Sequence, residues 1–85
     1  MIKVMISIYG MNTINYFSDL LVAYSRVLSY LDCLRDWVSM YIEISMTDPE
    51  LITKNVIYSK YGYVSELKKN INNIYESLLN KEELI

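Results

Sequence analysis

The stretch Thr13-Ile14-Asn15-Tyr16-Phe17-Ser18-Asp19-Leu20-Leu21-Val22-Ala23-Tyr24-Ser25-Arg26-Val27-Leu28-Ser29-Tyr30-Leu31-Asp32-Cys33-Leu34-Arg35-Asp36-Trp37-Val38-Ser39-Met40-Tyr41-Ile42-Glu43-Ile44-Ser45 decides how this chain is read. Written as heptads, one row is Phe17, Tyr24, Leu31 and Val38, and the row beside it is Leu20, Val27, Leu34 and Tyr41. Leu21, Leu28 and Ile42 flank these rows on one side; Tyr16, Ala23, Tyr30, Trp37 and Ile44 flank them on the other. About four positions in seven are apolar, where a coiled-coil seam needs two and an ordinary surface helix about three. The spacing therefore predicts one long helix over 13–45 whose apolar stripe is too wide for a single partner helix to cover.

Working outward, Met46-Thr47-Asp48-Pro49-Glu50-Leu51 carries a boundary signal. Thr47 is placed to cap a helix, Glu50 to reach back three residues later, and Pro49 to sit in the first turn, where its missing N–H is harmless. A second helix over 48–80 then presents Ile57, Tyr61, Val64, Leu67, Ile71, Ile74, Tyr75 and Leu78, with Lys81–Ile85 expected to fray. Gly62 costs a helix interior about 1 kcal/mol relative to Ala, so the reading favours a break there, with Ser65 opening a third helix. At the other end Ile2, Val4, Ile6 and Ile8 alternate with Lys3, Met5, Ser7 and Tyr9 and stop at Gly10. That is the period of a short strand, although an otherwise helical chain offers it no ladder partner.

The expected fold is thus all-α. It is one elongated domain of 85 residues, a long helical hairpin or three-helix arrangement with a possible N-terminal strand over 1–11. Leu20, Leu21, Val27, Leu28, Leu31, Leu34, Val38, Ile57, Tyr61, Val64, Leu67, Ile71, Ile74 and Leu78 form the hairpin core in this reading. Eighty-five residues allow one return pass after the long helix, so the remaining flank must be covered by a second chain, either another copy or a different protein. Burying every apolar residue inside a compact three-helix bundle is the plainer alternative. The flanks differ in kind: one is aliphatic, whereas Tyr16, Tyr30 and Trp37 are the amphipathic aromatics enriched where proteins meet. With Tyr24, Tyr41 and Ile44 they make up the expected partner interface, and Trp37→Ala is expected to dissociate the complex more than Leu28→Ala.

The chemistry is bounded by absences. The chain has no histidine, one cysteine and two glycines, which removes the commonest general base and any glycine-rich phosphate loop. Cys33 has no activating neighbour in sequence, and Asp32, Asp36 and Glu43 read as a solvated face rather than a metal site. No catalytic residue, metal or cofactor and no small-molecule substrate is expected. The longest uncharged run, Val4–Ser18, includes Gly10, Asn12, Thr13 and Asn15 and does not read as a membrane span. A lone thiol and a net charge of −2 suit a reducing, cytoplasmic location, host cytoplasm if the chain is viral.

Two resemblances complete the reading. The helix, Asp48-Pro49 turn, helix plan is similar to that of small secretion-system needle subunits and their helical-hairpin co-chaperones, and it carries over no residues. Tyr61-Gly62-Tyr63-Val64 resembles the middle of the RNP1 motif of RNA-recognition domains, with Ser59, Lys60 and Glu66 standing where that motif has a basic residue, a glycine and an aromatic. That likeness implies bases stacked on tyrosines in the Lys54–Lys69 region, an alternative to the main expectation. The main expectation is a non-enzymatic adaptor, co-chaperone or inhibitor that holds another chain, as small viral or bacterial accessory proteins do.

Overall fold

Tyr9 and Gly10 have φ of +50° and +80°, the pair of left-handed conformations that a two-residue hairpin turn needs to match the twist of its strands. In the computed structural model, which describes residues 1–48, 50 and 53–83, this turn joins strand β1 (Ile2–Ile8) to strand β2 (Met11–Phe17). Helix α1 (Leu20–Asp32) follows, then strands β3 (Ser39–Asp48) and β4 (Thr53–Tyr63), and helix α2 (Val64–Glu83). The strands form one antiparallel sheet in the order β2-β1-β3-β4. Ile2, Val4 and Ile6 of β1 and Met40, Ile42 and Ile44 of β3 meet Ala23, Tyr24, Val27 and Leu31 of α1 and Val64, Leu67 and Ile71 of α2 in one core. Both helices therefore cover the same side of the sheet, and the molecule is a slab of 36 × 33 × 16 Å.

This α/β architecture overturns the all-α expectation, the helical hairpin and its elongated shape. Of the expected long helix only Leu20–Asp32 is helical. Asp19, in extended conformation, starts it by accepting a hydrogen bond from the Leu21 N–H at 3.0 Å. It ends where the Cys33 and Leu34 N–H groups bond back to Tyr30 and Leu31, each at 3.1 Å. From Ser39 the side chains alternate instead: Met40, Ile42 and Ile44 are buried against the helices, while Tyr41 and Glu43 point the other way. From Tyr41 to Met46 the strand is paired on both sides, with β1 and β4, so the ladders satisfy its backbone groups.

The expected second helix divides as well. Residues 53–63 are β4, and α2 opens at Val64, whose N–H donates to the Val38 carbonyl at 2.9 Å while Ser65 N–H reaches the Asp36 carbonyl at 3.4 Å. The connection after α1 thus supplies acceptors for the orphan amides at the start of α2. Thr47, expected to cap a helix, lies in β3, and its N–H and hydroxyl donate to the Met1 carbonyl at 2.9 and 3.3 Å. The expected positions of Pro49 and Leu51 in a first helical turn lie outside the described residues, as do Leu84 and Ile85; Lys81–Glu83, expected to fray, continue α2. The N-terminal alternation is β1, and its partners are β2 on one side and β3 on the other.

Candidate functional site

The two helices leave the opposite side of the sheet bare. The register defines its rows: Asn12, Ser7, Tyr41 and Tyr61 lie across the four strands, then Ile14, Met5, Glu43 and Ser59, then Tyr16, Lys3, Ser45 and Val56. Tyr63 extends the face beside Ser39. An antiparallel sheet with one solvated face is ordinarily polar there. Here Tyr61 is 70% exposed, Tyr63 58%, Tyr16 57%, Val56 50% and Ile14 45%. The charges among them are Lys3, Glu43 and Lys54, and the last two pair at 3.0 Å. Tyr41 and Tyr61 sit directly opposite one another on neighbouring strands, close enough for their rings to touch.

A bulge sets which β4 side chains face outward. Ile44 pairs with Tyr58 but Ser45 with Val56, so Ile57 has no partner on β3. Tyr61 and Tyr63 face outward opposite Tyr41 and Ser39, while Tyr58 and Lys60 lie on the helix side with Ile44 and Ile42; beyond Tyr58 the extra residue shifts the alternation by one, so that Val56, opposite Ser45, joins the outward face. Tyr58 packs against the core, and its burial raises its phenol pKa, with Tyr24 and Glu66 acting in the same direction. Burial raises that of Tyr24 as well. Ser45 is the single buried polar residue described, and its hydroxyl, like that of Tyr58, has no partner among the described residues.

The six residues expected at a partner interface are dispersed. Tyr16 and Tyr41 share the bare sheet face. Tyr30 is exposed on α1, and Trp37, 66% exposed, stands in the loop before β3. Tyr24 and Ile44 are in the core. Of the expected hairpin core, Val27, Leu31, Val64, Leu67 and Ile71 are core residues of the two-layer fold. Leu20, Leu28, Leu34, Val38, Ile74 and Leu78 pack at its margin. Leu21 is half-buried, and Ile57 and Tyr61 are exposed. What periodicity missed is the set Met5, Ile14, Val56 and Tyr63, whose signal is alternation within strands rather than helical spacing.

Asp32 pairs with Lys68 at 3.2 Å, Glu43 with Lys54, and Asp36 stands in the loop, so the three acidic residues belong to different elements. Among the described residues no group of three or more Cys, Asp or Glu side chains is placed to hold a metal. Cys33 is an exposed free thiol at the end of α1. Among the described residues no helix is long and apolar enough to cross a membrane. A two-layer α/β module with an uncovered aromatic sheet face is the class this geometry defines. In comparison with known proteins, no family model, no curated protein and no solved structure matches the chain.

Proposed function

We propose that this chain is a non-enzymatic interaction module, an adaptor, co-chaperone or inhibitor of the cytoplasm, that receives another protein on the bare face of its sheet. The observation that carries the reading is the exposure of Tyr16, Tyr61 and Tyr63 with Ile14 and Val56 on one surface where the Glu43–Lys54 charges neutralise each other. Tyrosine gives a partner large contact area with few rotamers to freeze, together with a hydroxyl that stays hydrogen-bonded at the rim. The seat of the interaction is thus the sheet and not a helix flank.

A second reading rests on the same tyrosines. Four strands with Tyr41, Tyr61 and Tyr63 clustered at one side resemble a stacking platform for single-stranded nucleic acid. The lysines weigh against it. Lys54, Lys60 and Lys68 are engaged by Glu43, Glu66 and Asp32 at 2.8 to 3.2 Å, which leaves Lys3 as the described cation on the bare face outside an ion pair, and the chain carries a net charge of −2, so the face is poorly equipped to track phosphates.

The deciding experiment compares the native chain with a Tyr61→Ser, Tyr63→Ser double variant, first in affinity capture from the native cell and then with a labelled oligonucleotide. A protein held by the native chain, lost by the folded variant and retained as salt rises supports the module. A captured protein that the double variant holds equally well refutes it, and oligonucleotide binding that collapses steeply with salt transfers the surface to the second reading.

A further inference from the structure

Strand β2 is an edge of the sheet, and among the described residues no strand pairs with its outer side. Natural sheets blunt their edges with charge, proline, bulges or brevity. The other edge, β4, carries Lys54, Lys60 and the bulge at Ile44/Ser45. The β2 sequence Met11-Asn12-Thr13-Ile14-Asn15-Tyr16-Phe17 has no charge and no proline, and it runs seven residues in unbroken register with β1. Every residue from Met11 to Tyr16 is exposed.

We propose that β2 pairs antiparallel with β2 of a second copy of this chain, joining two four-stranded sheets into one continuous sheet about a twofold axis at Ile14. The backbone phase allows it. In a two-residue turn the flanking residues exchange hydrogen bonds, so Met11, Thr13, Asn15 and Phe17 direct their N–H and C=O groups toward β1, and Asn12, Ile14 and Tyr16 direct theirs outward. With Ile14 on the axis, Ile14 meets Ile14 and Asn12 meets Tyr16 of the other copy, each giving and receiving a bond. Because β2 is uncharged, self-pairing places no like charges opposite one another.

The groove beside the strand supports the same occupant. Between α1 and β2 lies an open groove of about 340 Å³ bounded by Val22, Arg26 and Tyr30 on the helix and Thr13 and Asn15 on the strand. Val22 and Tyr30 are exposed although they face the sheet side of the helix. In the paired assembly the grooves of the two copies merge into one trough over the joined β2 strands. Val22, Arg26 and Tyr30 of each copy then border this trough. One symmetric contact thereby covers an unprotected edge and two misplaced apolar side chains. Its hydrogen bonds are made by the β2 backbone edge and not by the bare sheet face, to which the side chains of Ile14 and Tyr16 belong, and it sets two such faces side by side.

Light scattering on the full chain, with amide exchange read residue by residue, tests this. The native chain is expected at twice its 10.0 kDa mass, with the Asn12, Ile14 and Tyr16 amides protected. Ile14→Lys places two ammonium groups across the axis at a side chain that is already exposed in the single chain. It is expected to yield a monomer of unchanged circular dichroism in which Ile14-site and Tyr16 protection is lost and that of Thr13 and Asn15 is kept. Val56→Lys, on the opposite edge, is expected to leave the dimer intact. A native chain that is monomeric at micromolar concentration, or that lengthens its sheet only with a different protein, overturns the proposal. So does an Ile14→Lys chain that remains dimeric, and a Val56→Lys chain that dissociates would move the contact to the sheet face.

Discussion

Replacing Tyr58 by Phe should stabilise the protein, an uncommon outcome for a change at the edge of a core. The ring packs against the core between sheet and helices, and its hydroxyl is buried with no hydrogen-bond partner among the described residues. A buried hydroxyl left unpaired forfeits the hydration it had in the unfolded chain, about 1–3 kcal/mol. Deleting one oxygen opens a gap far smaller than a methylene cavity, so the loss in packing is slight. The net expectation is a gain of about 1 kcal/mol, which raises the melting temperature of a domain of this size by roughly 4–8 °C. Thermal unfolding followed by circular dichroism and a urea titration measure it, and the urea slope should stay unchanged. Tyr63→Phe, whose hydroxyl is on the exposed face, provides the comparison and should move stability by less than about 0.5 kcal/mol. A Tyr58→Phe chain that melts lower would mean that the hydroxyl is hydrogen-bonded, and it would refute the register after the bulge that places Tyr58 under the helices.

Three further outcomes follow from the same geometry. Burial holds the phenols of Tyr24 and Tyr58 above their ordinary pKa of 10.0, so their contribution to stability is whole below about pH 10 and lost as pH rises through the folded-state values, by up to about 1.4 kcal/mol per pH unit for each group; urea midpoints measured across that range should fall, and fall less in the Tyr24→Phe, Tyr58→Phe double variant. Ile42→Ala, at a fully buried site in a central strand, should cost about 2–5 kcal/mol in calorimetry, while Trp37→Ala, 66% exposed, should cost under about 0.5 kcal/mol. Gly10→Ala should cost about 1–2 kcal/mol, because φ is +80° while nothing lies within 4 Å of the added methyl; a neutral result in thermal unfolding would mean that the turn adopts another conformation.

How far the fold was legible depends on which faces are covered. β1 alternates cleanly because one side meets the helices and the other does not, and its period shows in the sequence. β3 has the same alternation in Met40, Ile42 and Ile44, but Val38 and Tyr41 also fit the helical rows begun at Phe17 and Leu20, so a period of 3.6 accounts for them equally well. β2 shows no period at all. Its helix-side residues Thr13 and Asn15 border an open groove, and its outward residues Ile14 and Tyr16 are exposed, so neither face obliges the chain to choose apolar over polar. In β4 the bulge breaks the alternation halfway, leaving Val56 and Tyr61 on one face at a spacing of five, which neither period predicts. The bulge is fixed by pairing between residues far apart in the chain, Ile44 with Tyr58 and Ser45 with Val56, and single-chain periodicity does not register that.

The aromatic surplus was legible for a reason independent of fold. A chain that is 53% apolar and carries nine tyrosines has more large side chains than two helices and one face of a sheet can enclose. In a long hairpin the excess would lie on a helix flank; in this slab it lies on the uncovered side of the sheet, and Tyr16 is in excess under either arrangement. Which residues are left over is decided by register, since moving β4 by one residue against β3 would bury Tyr61 and Tyr63 and expose Tyr58 and Lys60 instead. The pairing of Tyr61 with Tyr41 and of Tyr63 with Ser39 is therefore the feature on which the candidate site depends. Removing Ile57, the unpaired residue, makes the β4 ladder regular: Val56 stays opposite Ser45 and Tyr61 opposite Tyr41, now four residues apart and still on one face, so the deletion should fold and keep partner binding. An Ile57 deletion that folds and keeps the Lys54–Glu43 pair but loses partner binding would assign Ile57, 40% exposed, to the seat; one that keeps binding would assign the seat to the tyrosines.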